Sequence, residues 1–249
     1  MLSSLSRRCL HHLAMVFAVA LGAGHAAAQS ATQCPDPPAV QGGTNTVKPT
    51  QTARTASETP IWKTITVGGL KGVNATRAAI EAAPCPIWVG EEADEILGRP
   101  AFPFLKARVA LDLVVFSVFE LGFGDRASSG DIELGASVPA SFQDIYTRAL
   151  SLGFELCPAE VGPALRLSYL DQPFGEFLHI AMKPVASYSG ELIDFTVGNG
   201  GAGLLLVGGH AYPGAMLPAS TRFVFVRPRT DTLVSSPAPR VEVDNWAKR

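Results

Sequence analysis

Cys157 is followed by Pro158-Ala159-Glu160, and a proline there suits the first position of a short helix. A thiol at a helix N-terminus is acidified by the dipole, and the thiolate is the nucleophile. With His210 as its base, Cys157 is therefore a candidate for a cell-wall hydrolase with a cysteine nucleophile. Against this, Leu156 adjoins the cysteine and no Gly/Ser-rich signature flanks it, which is how a buried structural cysteine reads. A second chemistry lies in CPAEVGPALRLSYLDQPFGEFLHIAM, where Glu160, Asp171 and Glu176 stand near Arg166, Tyr169, Gln172 and His179. Two carboxylates astride a sugar bond hydrolyse it if burial raises the pKa of one. The plainer reading is an Arg166 ion pair and a turn at Asp171-Gln172-Pro173. As a surface, the cluster Glu160, Arg166, Tyr169, Asp171, Gln172 and Glu176 is the candidate binding site.

Gly198-x-Gly200-x-x-Gly203 has the spacing of a dinucleotide fingerprint, which works by leading into a helix whose N-terminal amides face the phosphates. Here Leu-Leu-Leu-Val-Gly-Gly follows, too short for a helix, and the position for a ribose-binding acid holds Ser220 to Phe223. The run is expected to be a hairpin turn. No P-loop, G-x-S-x-G, H-E-x-x-H, EF-hand loop or paired C-x-x-C occurs. No cofactor and no metal are expected.

These residues need elements to hold them. Trp62 to Val67 alternates as a half-buried strand, Asn74 offers an N-cap for a helix over 75–83, and Glu91 to Leu97 carries acids in its first turn before Gly98. Residues 61–105 thus suggest a small N-terminal α/β lobe. Val109 to Val118 reads as a strand buried on both faces. After a Gly/Ser loop at 124–137, Ser141 caps a helix over 142–152, with Phe142, Ile145, Ala149 and Leu152 on one face and Gly153 at its end. His179 alternates with Leu178 and Ile180 on a strand, as a solvent-facing or satisfied side chain, and His210 reads as a loop residue. Strands near 178–182, 193–197, 204–207 and 223–226 suggest an antiparallel β-meander packed against that one main helix. The fold class is α+β.

Residues 1–28 read as a signal peptide, with Arg7 and Arg8, an apolar run from Leu13 to Gly24 and Ala26-Ala27-Ala28 before the cleavage point. Removing them takes two arginines, three of the five histidines and no acid, so the net charge moves from -2 to -4. Only His179 and His210 remain, too few for a His-rich zinc site. Without a basic run, nucleic-acid binding is disfavoured. Asp112 and Glu120 interrupt the longest later apolar stretch, so no transmembrane helix is expected after cleavage. Residues 29–60 hold seven threonines and five prolines and no Leu, Ile or Phe, the composition of a disordered linker. The globular domain then covers 61–227, with a flexible tail over 228–249. Of Cys34, Cys85 and Cys157, the first two sit in proline-rich turns and form the favoured disulfide, the alternative being three free thiols.

Phe119-Glu120-Leu121-Gly122-Phe123, Asp144-Ile145-Tyr146-x-Arg148-Ala149, Leu152 to Pro163, Leu165-Arg166-Leu167 and Gln172-Pro173-x-Gly175-Glu176 together resemble a group of uncharacterised bacterial proteins. The resemblance spans about 62–227 and implies one evolutionary unit, with no catalytic residue to carry over. The sequence thus describes an exported bacterial protein, periplasmic or extracellular, with a non-enzymatic binding or interaction domain and a protein or cell-envelope partner.

Overall fold

In the computed structural model, which describes Cys34 and residues 54–124 and 139–229, strand β1 (Lys63–Val67) buries Ile65 and Val67 and exposes Thr64 and Thr66. Helix α1 (Val73–Glu81) begins earlier than expected: Gly72, at φ 97°, occupies the cap, and Asn74 lies inside the helix. Glycine takes that conformation without steric cost, so no side-chain cap is needed to turn the chain. Strand β2 (Ile87–Val89) leads to helix α2 (Glu91–Leu97), with Glu91, Glu92 and Asp94 in its first turn and Gly98 at its end. Strand β3 (Val109–Ser117) is covered on both sides, Leu111 and Leu113 by one core and Val114 and Phe116 by another.

Two-residue strand β4 (Ala140–Ser141) runs into helix α3 (Phe142–Ser151). Ser141 Oγ accepts from the Asp144 N–H at 3.1 Å and donates to Asp144 Oδ2 at 2.6 Å, fixing the start of the helix, and Gly153 at φ 88° follows its end. Helix α4 (Val161–Ser168) carries Pro163 in its first turn, where an amide would have no intrahelical partner. Its Gly162 lies against Phe195 so closely that a Cβ would come within 2.5 Å of the ring. Strands β5 (Phe177–Ile180), β6 (Val185–Ala186), β7 (Leu192–Gly200), β8 (Gly203–His210), β9 (Met216–Leu217) and β10 (Arg222–Arg227) complete the chain.

The class is α+β, with one mixed sheet ordered β1-β3-β10-β5-β7-β8-β2, β6 pairing with β7, and a separate β4–β9 ribbon. β5, β7 and β8 pair antiparallel in succession as the meander required, but β10 does not follow β8. It inserts between β3, antiparallel, and β5, parallel. Phe223 and Phe225 belong to one core and Val224 and Val226 to the other, so this strand is buried on both faces and belongs in the middle of a sheet. The small lobe is likewise corrected. β1 and β2 are the two edges of the same sheet, and Ile65, Ile80 and Ile96 share a core with Leu178, Phe195 and Val224. The four short elements β1, α1, β2 and α2 do not bury their apolar faces on one another alone; they use the long strands. α1, α2 and α4 contribute to that core. α3 covers the opposite face through Phe142, Ile145, Tyr146 and Ala149, so one main helix accounts for one face only.

The domain also exceeds the expected 61–227. Ala56 N–H donates to Leu152 O at 2.9 Å, Arg227 donates to Thr59 O at 2.6 Å, and Arg229 holds Asp112 at 2.7 and 2.8 Å. Residues of the supposed linker dock through backbone hydrogen bonds, and Ala56 adds its side chain to the core beneath α3. Cys34 and Cys85 form a disulfide with Cα atoms 5.4 Å apart, the favoured pairing, and Cys157 is free. The expected signal peptide, most of the linker, the 124–137 loop beyond Gly124 and the tail from 230 lie outside the described residues. No helix among the described residues is long and apolar enough to cross a membrane.

Candidate functional site

The polar stretch that sequence offers as a binding surface is largely interior. Glu160 is fully buried and accepts the backbone N–H groups of Gly68 at 2.8 Å, Leu70 at 3.3 Å and Leu105 at 2.9 Å, binding two loops to the start of α4. Arg166, also fully buried, donates to Gln172 Oε1 at 2.6 Å, to Gly198 O at 2.8 Å and to Tyr169 O. No carboxylate is among those partners, and burial lowers the pKa of the guanidinium to about 10. Gln172 passes the network on to Val197 O at 3.2 Å, and Asn199 donates to Gln172 O at 2.7 Å. Tyr169 donates to Glu176 Oε2 at 2.8 Å, and burial, then that carboxylate, pushes its phenol up. Glu176 is also paired with Arg222 at 2.6 Å, leaving Asp171 as the exposed member of the set. Glu160, Arg166 and Gln172 therefore cannot present themselves to a partner: Glu160 is spent on the backbone of the loops at 68–70 and 105, and Arg166 and Gln172 on each other and the backbone of Tyr169 and β7. The expected ion pair of Arg166 with an acid is replaced by bonds to carbonyls and an amide.

Cys157 sits beneath the same sheet. Its N–H donates to Ala181 O at 2.7 Å, its thiol lies 3.4 Å from Val224 O, and desolvation raises its pKa. Helix α4 starts at Val161, so no dipole end acidifies the sulfur. Each of these is the reverse of what a nucleophile needs. His210 ends β8 rather than lying in a loop; it is exposed and stands 3.9 Å from Glu191 Oε2 and stacked with Tyr212. The glycine fingerprint is a hairpin: Gly200 pairs with Gly203 around Gly201-Ala202, and Gly203 at φ 84° opens a strand. Gly198 and Gly200 also make room for the Phe177 ring, which a Cβ at Gly198 would meet at 2.6 Å.

A different constellation stands out on the face that α3 covers in part. Strand alternation and register place Phe223, His179, Thr196 and Val207 in one row across β10, β5, β7 and β8, with Asp194 and Gly209 in the next row. Asp194 is fully buried, and its Oδ2 lies 3.3 Å from His179 Nδ1. Its Oδ1 has no hydrogen-bond partner among the described residues. Gly209 packs over that oxygen so tightly that a Cβ would approach it to 3.0 Å. Thr196 Oγ1 also lies 3.3 Å from His179 Nδ1. Desolvation raises the Asp194 pKa, and the His179 hydrogen bond opposes it. The imidazole is flanked by Phe142 and Phe223, with centroids at 6.3 and 5.2 Å, and its side chain is 23% exposed. Since Nδ1 faces Asp194 and Thr196, the edge free to meet a ligand is Nε2.

Past the buried Asp194 and Thr196 the cover thins, although Leu205 on β8 is still buried. Phe177 and Trp88 are 44% and 53% exposed and Val207 is half-buried. Among the described residues no group of three or more His, Cys, Asp or Glu could hold a metal ion. No family model matches this sequence, and no curated protein or solved structure matches it either.

From sequence alone His179 reads as solvent-facing or satisfied, and Asp194 carries no local motif. One signal was available: Ile193, Phe195 and Val197 are apolar at alternate positions, so an acid between the first two must lie on the strand's other face. That the other face is also covered, and that His179 is the neighbour, depends on register.

Proposed function

We propose that this chain is an exported bacterial binding domain whose ligand site is the half-open sheet face at His179, not the Glu160–Glu176 stretch. The observation that carries this reading is Asp194. A carboxylate buried whole, with a histidine as its side-chain ionic partner, costs stability and is retained where it tunes that partner. Beside it, exposed Phe177 and Trp88 extend an apolar surface that a ligand or cell-envelope partner would cover. The leader-like first 28 residues, the Cys34–Cys85 disulfide and the lack of a basic run support an oxidising, extracytoplasmic setting without nucleic acid.

Two measurements test the reading. Expression in a bacterial host followed by fractionation is expected to yield an extracytoplasmic chain beginning at Gln29; an intact leader on a cytoplasmic chain contradicts export. Amide shift mapping with a fragment library is expected to gather hits around His179, Thr196, Val207, Gly209 and Trp88. Hits that converge on Asp171 and its neighbours instead would return the site to the sequence-predicted surface.

A further inference from the structure

The chemistry of the His179 site restricts what it can accept. An ionised carboxylate only accepts hydrogen bonds, so with Asp194 Oδ2 and Thr196 Oγ1 both at Nδ1, the imidazole proton belongs on Nδ1 and the lone pair on Nε2. Nε2 is not among the buried polar atoms without a partner, and no described residue bonds to it. The strand positions on this face of β5, β7, β8 and β2 are Phe177, His179, Asp194, Thr196, Val207 and Trp88, the rest being Leu or Gly. Neither Lys nor Arg is among them, and the one fixed charge, Asp194, is negative. Strands lie about 4.8 Å apart, so His179 and Val207, two strands over, mark out a surface about 10 Å across. Phe177, one pleat along from His179, borders it.

We infer that the His179 site takes an uncharged aromatic alcohol, whose hydroxyl donates to Nε2 while its ring lies on Phe177 and Val207. A carboxylate or phosphate is refused, since it has no proton to give and would meet no cation there. A protonated amine can donate, but it would leave water for an apolar surface with no carboxylate oxygen exposed to it. Asp194 acts here as a positioning residue. It never touches the ligand and works by fixing which ring nitrogen holds the proton.

This inference rests on the proposed binding role, and the test separates the two. The mature, disulfide-bonded chain is titrated at pH 8 with 4-methylphenol, benzylammonium and benzoate, following backbone amides and the imidazole nitrogens of His179 by NMR. Saturable shifts at His179, Val207 and Gly209 with 4-methylphenol, at least tenfold weaker with benzoate and with benzylammonium, are expected. Equal or tighter binding of benzoate or benzylammonium at the same residues overturns the ligand class but leaves the site. No probe shifting these residues overturns both. His179→Phe, which keeps an apolar ring and loses the acceptor, is expected to weaken 4-methylphenol at least tenfold. Asp194→Asn, whose amide can donate to Nδ1, is expected to move the proton toward Nε2 and reduce the preference over benzoate. Unchanged selectivity with an unchanged tautomer in Asp194→Asn denies Asp194 its role, and unchanged affinity in His179→Phe denies the inference altogether.

Discussion

At the scale of single residues, Asp194 and Cys157 show what burial does to an ionisable group. The Asp194 carboxyl is held above its unfolded value by desolvation, so over the pH range between the unfolded and folded values the native state binds more protons than the unfolded one. Its contribution is favourable below the unfolded value, about 3.9, and is lost as pH rises through the folded value. Asp194→Asn is therefore expected to gain on the native protein as pH rises above about 3.9, in urea denaturation at fixed salt. A difference that shrinks as pH rises would mean the carboxylate is stabilised where it stands. Cys157 gives a simpler expectation. Its buried, raised thiol should react with iodoacetamide only after denaturant is added, and prompt labelling of the native chain near neutral pH would revive the nucleophile. Both residues were visible in the sequence by type. Their roles were not, because Cys157 lies in an isolated bridge pairing with Met182, and His179 meets Asp194 only through the β5–β7 register.

Among elements, helix α4 and the turn after it explain why a polar sequence became a scaffold. Arg166 is the hub: truncation leaves Gly198 O, Tyr169 O and Gln172 Oε1 without their donor, at about 1–3 kcal/mol for each unsatisfied group. Arg166→Leu is expected to lose at least about 3 kcal/mol of stability by urea denaturation. A loss within the usual surface range of about 0.5 kcal/mol would show that these bonds are replaced by water. Local signals worked where local chemistry decides. Ser141 with Asp144, the acids opening α2 and the glycines at the β7–β8 hairpin each fixed an end that the sequence announced. Local signals were overridden where tertiary contacts decide. Gly72 displaced Asn74 as a cap, and β10 joined β3 and β5 rather than β8, because strand partners are chosen by which faces remain to be buried.

For the whole molecule, the sheet draws N-terminal edge strands and C-terminal centre strand into a single unit, so constraints on the chain ends matter. The Cys34–Cys85 disulfide closes a segment with a sequence separation of 51. Chain-entropy arithmetic for a loop of that size gives a stabilisation of about 4 kcal/mol. Double replacement by alanine is expected to lower the denaturation midpoint accordingly, and an unchanged midpoint would mean that the tether constrains nothing in the unfolded chain. The sequence allowed this pairing as the favoured one, and the alternation of strand and helix periods indicated the α+β class. No segment hints that Phe177, Val207 and Trp88 stay partly exposed on the face α3 packs against, because incomplete cover is a property of the assembled sheet.

Binding at this face requires His179 to be oriented by a buried carboxylate with Nε2 turned to the ligand. Imidazole nitrogen shifts of His179, read through long-range proton–nitrogen correlations at pH 8 in the native protein and in Asp194→Asn, report this directly. A native ring protonated on Nδ1, with its lone pair on Nε2 and a shift toward the other tautomer in the variant, is the predicted result. A native ring protonated on Nε2, or one indifferent to the substitution, would contradict it.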